Sequence, residues 1–528
     1  HAMSRNPLDD FDPPTALPGN IARSVFADPR PKVQLPGDNR LIADFAAELG
    51  DLLRPRGLYR RERLVVTLNE KSDALRVVGE QELRTWVEKY VICYSTQKPS
   101  NNAHAIIEIR KTMTNDVSRA TIAAPQFIEA LSPIEHVNDI PLPTLRKTGK
   151  IEMLPQGYDS ESQTYTLNKS PISAAPAKDP KTTLDELLQE FCFADTGRSK
   201  AVTVSAMMTL FARGLLPVTA LRPAFIYLAN APGAGKTLAA DCAVVPVFGR
   251  AYRHNLPQKE EELEKVLLTA VMEAQPVLFF DNIKKHLSSS CLEGFLTSLH
   301  WQGRILSVSK TFSGKNSSTV FLTGNGATVS PDMRRRSLFV ELFSEAARAE
   351  DRKFSQPLDE AVLVARRGEI LGALWQMVKA WDAAGRPACS NSHNGLGAWC
   401  NTIAAIVEHA GFSCPTARAE LHEGGDTEGD QIGKLITALF SHHGTGTMDF
   451  ENIVKAAQDD GLFEYILGDG NDSLEMPQRV KFAKLLKRYD RMIFGAARLR
   501  FHIQGTGHAR KFRITKDETS TPAAPITP

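Results

Sequence analysis

The chain has 528 residues, 42% of them hydrophobic and 23% charged, with a net charge of +2. That length exceeds what one hydrophobic core supports and predicts about three or four domains. The composition is that of an ordinary globular protein and excludes a fibrous or wholly disordered one. No apolar run approaches the ~20 residues of a membrane span, and no apolar signal segment opens the chain. The seven cysteines form no CxxC pair, so a cytoplasmic protein with reduced thiols and no membrane partner is expected. His1-Ala2 ahead of Met3 reads as a cloning scar.

Residues 1–35 are rich in Pro and Asp and lack an apolar period, which predicts a disordered tail. An α+β domain is expected over 36–169. In it, Leu41, Ile42, Phe45, Leu49, Leu52 and Leu53 share a helical face ended by Gly57, Arg63 to Leu68 reads as a strand, and 142–159 as hairpins. The cluster Arg54, Arg56, Arg60, Arg61 and Arg63 is open to two readings, a phosphate contact or a solvated face. An Ala/Pro-rich linker follows at 170–181.

Next comes Ala224 to Leu228, an apolar run, then Asn230-Ala231-Pro232-Gly233-Ala234-Gly235-Lys236-Thr237-Leu238, then helix-forming residues. Strand, glycine loop and helix in that order make a phosphate cradle. The loop N–H groups converge on phosphate, Lys236 reaches the β- and γ-phosphates, and Thr237 holds Mg²⁺. The first glycine of GxxxxGK[ST] is replaced by Asn230, a residue that tolerates left-handed backbone. Val277 to Phe280 is a second buried strand ending in Asp281, which delivers a carboxylate to the strand's carboxyl edge as a second Mg²⁺ ligand. A third strand, Thr319 to Thr323, ends near Asn325, and Arg334, Arg335 and Arg336 precede a fourth, Ser337 to Leu342. Between the second and third, Trp301 to Asn316 reads as a hairpin bearing Lys310, Phe312 and Lys315. An ordinary exposed hairpin and a solvated arginine run are the plainer alternatives.

NAPGAGKT, VLFFDN, RILSVS, VFLTGNG and SPDMRRRSLFVEL, in this order, resemble the AAA+ helicase module of phage, plasmid and integrative-element replication proteins. That module is similar to superfamily-three and MCM-like helicases, and the resemblance covers roughly Lys181 to Pro387. It implies that Asn325 orients the attacking water. One of Arg334 to Arg336 would be an arginine finger reaching a neighbouring subunit, which implies a ring, expected to be a homohexamer. The hairpin would face the channel, with Lys310 and Lys315 on phosphates and Phe312 on a base or sugar. VLFFDN would be the Walker B strand, and the family usually places Glu after its Asp, here Asp281, whereas this chain has Asn282. The base is then expected from elsewhere, with Glu261 and Glu262 as candidates, or hydrolysis is slow.

A helical lid is expected over 346–415 from the apolar periods of Glu360 to Trp381 and Leu396 to Gly411, and an acidic, Gly-rich boundary over 416–430. From Gln431, three helical segments precede two strands (Leu499 to Ile503 and Arg510 to Ile514), the order of a winged helix, ending at 516; 517–528 is a tail. Arg479 to Lys516 holds twelve basic residues against one acid, Asp490, far more than solubility needs. Arg479, Lys484, Lys487, Arg488, Arg498, Arg500, Arg510, Lys511 and Arg513 are the expected DNA contacts.

The whole reads as an α/β protein: a P-loop AAA+ core over 182–345 with an N-terminal α+β domain, a helical lid and a carboxyl winged helix. ATP and Mg²⁺ are the expected cofactors, and DNA, further copies of the chain and other replication proteins the expected partners. The expected function is a ring-forming DNA helicase or translocase that replicates a mobile element. The alternative is a DNA-binding AAA+ regulator or loader that remodels a protein partner without unwinding DNA.

Overall fold

The structure, a computed structural model, describes residues 28–37, 39–69, 74–97, 106–167, 179–283, 286–305, 311–325, 327–344, 357–393, 395–417, 428–468, 475–494, 497–505 and 510–516. Two compact units emerge: His1–Arg56 with Glu80–Phe127, and Gly57–Gly79 with Ile128–Pro528. The stretch 36–169 is therefore shared between them.

In the smaller unit, strand Ile92–Gln97 lies between Lys32–Gln34, which runs parallel to it, and Ile107–Arg110, which runs antiparallel. Helix Ile42–Leu53 buries Phe45, Leu49 and Leu53, spaced four residues apart along one stripe. Leu41 and Ile42, expected on that face, are exposed.

Gly57–Gly79 belongs to the larger unit because its polar groups are satisfied there. Arg61 is 1% exposed; its Nε donates to the Val271 carbonyl at 2.9 Å, Nη1 to the Glu135 carboxylate at 2.8 Å and Nη2 to the Lys315 carbonyl at 3.2 Å. Such a guanidinium is structural, not a phosphate contact. The expected hairpins are present: Pro143–Leu145 pairs with Ile151–Met153, and Gly157–Asp159 with Thr164–Thr166.

The centre is a parallel sheet. Its elements are β1 (Ala224–Ala229), α1 (Lys236–Phe248), β2 (Arg253–His254), α2 (Glu260–Met272), β3 (Val277–Ile283), α3 (Ser290–Thr297), the hairpin β4 (His300–Arg304) and β5 (Thr311–Lys315), β6 (Thr319–Asn325) and β7 (Ser337–Leu342). The strand order is β2-β3-β6-β1-β7, all parallel. Because helices cover both faces, the strands are apolar on both. Phe225, Tyr227 and Ala229 of β1 pack with α1 and with helices Arg198–Phe211, Arg367–Ala383 and 397–409. Ala224, Ile226 and Leu228 face α2 and α3. Trp399, fully buried, anchors the later helices by donating Nε1 to Thr209 Oγ1 at 2.9 Å. The expected helix over Glu360 to Trp381 is two, Glu360–Ala365 and Arg367–Ala383.

The carboxyl region has its own core. Helices α4 (Glu428–His443), α5 (Phe450–Asp459) and α6 (Met476–Arg488), with a short turn of helix at Glu464–Leu467, precede β8 (Leu499–Gln504) and β9 (Lys511–Lys516). These two strands pair antiparallel within a four-stranded sheet completed by Thr447–Met448 and Ile493–Phe494. Among the described residues, no helix is long and apolar enough to cross a membrane.

Candidate nucleotide site and nucleic-acid surface

The loop after β1 turns on two glycines with left-handed backbone, Gly233 (φ +79°) and Gly235 (φ +92°), a conformation that costs glycine nothing. Gly235 caps α1, so Lys236 and Thr237 open that helix. Buried Ala234 fixes the loop from beneath, while Ala231, Pro232, Gly233 and Leu238 keep some exposure. Asn230 is not left-handed, so backbone tolerance does not explain it. Its amide nitrogen donates to the Ser344 carbonyl at 3.0 Å and its amide oxygen accepts from the Ser344 N–H at 2.9 Å, which ties the exit of β1 to that of β7. Asn230→Gly restores the textual motif but removes both bonds. We expect a lower thermal midpoint, worth about 1–3 kcal/mol, with nucleotide affinity kept; an unchanged midpoint in thermal unfolding would refute this tether.

β3 and β6 bring the polar groups to the same edge. Thr237 Oγ1 donates to Asp281 Oδ1 at 3.1 Å, and Thr323 donates to the same oxygen. Burial lowers the Lys236 ammonium below the usual lysine range, with the Asp281 carboxylate opposing that shift. Asn325 pairs in register with Ala229 at the tip of β1, and its side-chain oxygen is buried without a hydrogen-bond partner among the described residues. Thr323 was not foreseen as a site residue. Its signal was a hydroxyl inside an otherwise apolar strand.

The left-handed Asn is instead Asn282 (φ +58°). It sits where the β3 register slips between Phe280 and Ile283, and its N–H donates to Thr323 Oγ1 at 2.9 Å. Asp281 and Asn282 line a cleft of about 400 Å³ with Glu260, Gln258 and His286. Neither Glu261 nor Glu262 lines it. Both are exposed, and Glu262 pairs with Lys265 at 2.7 Å. Glu260 is held on the cleft because its carboxylate accepts the Cys291 N–H at 2.8 Å.

Arg334 stacks over the Phe339 ring at 5.5 Å. Arg335 is mostly exposed and pairs with Asp332. Arg336 is less free, donating to the Asp332 carbonyl at 2.9 Å. The β4–β5 hairpin forms, with Gly303 opposite Phe312, but Phe312 is 3% exposed and packs with α2. Period-two alternation turns Phe312 and Gly314 inward and Thr311 and Ser313 outward. A Cβ on Gly314 would lie 2.6 Å from the Phe312 ring, so glycine makes room for it. Phe312 is thus no stacking residue. Lys315 pairs with Glu135 at 3.4 Å, and Lys310 lies outside the described residues.

On the carboxyl region, alternation sets Arg500, His502, Lys511 and Arg513 on one face of β8–β9, opposite Phe501, Phe512 and Ile514 in the core. Lys481, Lys484 and Lys487 are exposed along α6, as is Arg498 just before β8, while Arg510 is half-buried before β9. Arg479 is paired with Glu451 and Lys511 with Asp449. The Arg488 side chain, like Thr506 to His508, lies outside what the structure describes. Away from these sites, the thiols of Cys389 and Cys414 come within 3.6 Å, a proximity their spacing did not announce.

No protein-family model matches the chain, and no curated protein matches it. Among solved structures, it is similar to the A form apo structure of the NrS-1 C-terminal region, at 12% identity and a TM-score of 0.40, over 89% of this chain and 99% of that one. It is also similar to the SCCmec type IV Cch active helicase, at 11% identity and a TM-score of 0.30, over 86% of this chain and 90% of that one.

Proposed function

We propose that the chain is an ATP-driven DNA helicase or translocase that works as a ring, built on an AAA+ core with a carboxyl winged helix. One observation carries the reading: the adjacent Lys236 and Thr237 meet Asp281 and Asn325, from two distant stretches of sequence, at the carboxyl edge of one parallel sheet. That edge is where open α/β sheets bind ligands.

The donor set fits MgATP. Thr237 and Asp281 present adjacent hard oxygens of the kind Mg²⁺ takes, and the bound ion would neutralise phosphate charge. The loop N–H groups and Lys236 would hold the phosphates, and the unpartnered Asn325 oxygen would accept from a water aimed at the γ-phosphate. The missing Walker B glutamate would be replaced by Glu260, the acid that shares the cleft with Asp281. Arg334 and Arg335, on the surface, would be the arginines that complete a neighbour's site. The lysine-bearing face of α6 would hold duplex DNA, as expected for replication of a mobile element.

A forked DNA substrate tests the reading. Strand displacement by the wild type, lost in Lys236→Ala, is expected. ATP turnover without displacement at any DNA concentration would instead favour a loader or regulator that remodels a protein partner.

A further inference from the structure

A cavity of about 680 Å³ opens on the opposite edge of the sheet from the P-loop. Its wall includes Arg222, two residues before β1 begins at Ala224. It therefore lies at the amino end of the strand whose carboxyl end carries the P-loop, about 20 Å away at ~3.3 Å per residue.

His136, Arg213, Arg222, Lys315 and Arg386 line this cavity, against two acids, Glu135 and Glu161. Both acids are engaged. Glu135 takes Arg61 at 2.8 Å and Lys315 at 3.4 Å, and Glu161 accepts the Lys147 N–H at 2.7 Å. Arg386 is held by Asp382 at 2.7 Å, and Arg213 donates to the Val137 carbonyl at 2.7 Å. Arg222 has no such contact: among the described residues no acid or carbonyl pairs with its guanidinium, and its Nε, like that of Arg213, is shut from solvent with no hydrogen-bond partner. Burial alone pulls it down to about 10. Burial, followed by the charges of Arg213, Arg61, Arg222 and Lys315, also holds the His136 imidazole well below its usual range.

A cation half-buried in a cavity wall without a counter-charge is costly to keep, so an arginine in this position is poised for an anion. We infer that the cavity is a second phosphate-binding site, with Arg222 as its principal ligand and Arg213 and Lys315 flanking it. The planar guanidinium fork matches phosphate geometry, and the volume suits a nucleotide-sized group better than a lone small anion. The phosphate is that of a nucleotide or of a nucleic-acid strand; Lys315, at the foot of the β4–β5 hairpin, connects the cavity to either.

The site goes beyond the P-loop reading and is tested with the P-loop silenced. The full chain carrying Lys236→Ala is titrated with inorganic pyrophosphate and with a fluorescent oligothymidylate, reading thermal midpoint and anisotropy. Adding Arg222→Met should weaken at least one probe about tenfold or more. It should also raise the ligand-free midpoint, because the uncompensated charge is gone. Arg222-dependent binding of pyrophosphate assigns a nucleotide, and of the oligonucleotide a strand. Ser317→Asp, which adds a carboxylate to the same wall, should weaken the same probe and stands in if Arg222→Met does not fold. The site is overturned if neither substitution weakens either probe. Wild-type ATP turnover without Arg222-dependent binding would remove this site and leave the P-loop reading intact.

Discussion

Asp281→Ala is expected to lower ATP turnover about 100-fold or more, equivalent to about 2.7 kcal/mol of barrier. The carboxylate is the meeting point of the Thr237 and Thr323 hydroxyls and the partner that opposes the lowered Lys236. Its loss would remove one proposed Mg²⁺ ligand and the anchor of the other together. The fold should survive, because Thr323 Oγ1 still accepts the Asn282 N–H at 2.9 Å and Thr237 is partly exposed. Asn282→Gly is the control. Its left-handed φ of +58° suits glycine at least as well, so turnover should stay within a few-fold of wild type if Asn282 is not the base. Phosphate release measured beside thermal midpoints separates the two effects. Near-normal turnover in Asp281→Ala would end the assignment of a metal-binding role to β3.

How much of this was legible in the sequence follows from what each signal encodes. The strand, glycine turn and helix were legible because left-handed backbone at Gly233 and Gly235 requires glycine, and the strand tips because apolar runs ending in Asp or Asn expose one polar residue at a sheet edge. Orientation within a short strand was less so. Thr311 to Lys315 alternates, but which face meets α2 is decided by Gly314, whose missing side chain admits the Phe312 ring. The two asparagines show the same limit. Asn tolerates a left-handed backbone, yet that property is used at Asn282, while Asn230 is kept for two side-chain bonds to Ser344. Arg61 and Arg222 mark the other boundary. In sequence each is one basic residue among others, and only the folded chain shows one fully bonded and the other without a counter-charge among the described residues.

The largest effect on DNA affinity is expected from Lys481→Ala/Lys484→Ala/Lys487→Ala. These lysines are exposed within about a 120° arc of α6, opposite Phe482, Leu485 and Leu486 in the core, and none has an ion-pair partner among the described residues. Each lysine that sheds a condensed counterion contributes about 0.9 to the slope of log affinity against log salt. The triple variant should therefore lose about 2.7 of that slope and weaken duplex binding several hundred-fold at low salt, about 1–2 kcal/mol per charge-assisted contact. Arg479→Ala and Lys511→Ala should each cost far less, because those charges are already spent on Glu451 and Asp449. The only acid in the segment, Asp490, faces Arg491 at 3.8 Å and accepts the Ile503 N–H at 2.8 Å, so its charge is directed to those groups rather than to the lysine face. Fluorescence anisotropy with a short duplex between 50 and 200 mM salt, the range over which such contacts change affinity most visibly, reads both slope and affinity. A triple variant with an unaltered slope would move the duplex off α6 and leave that helix as a surface for protein contacts.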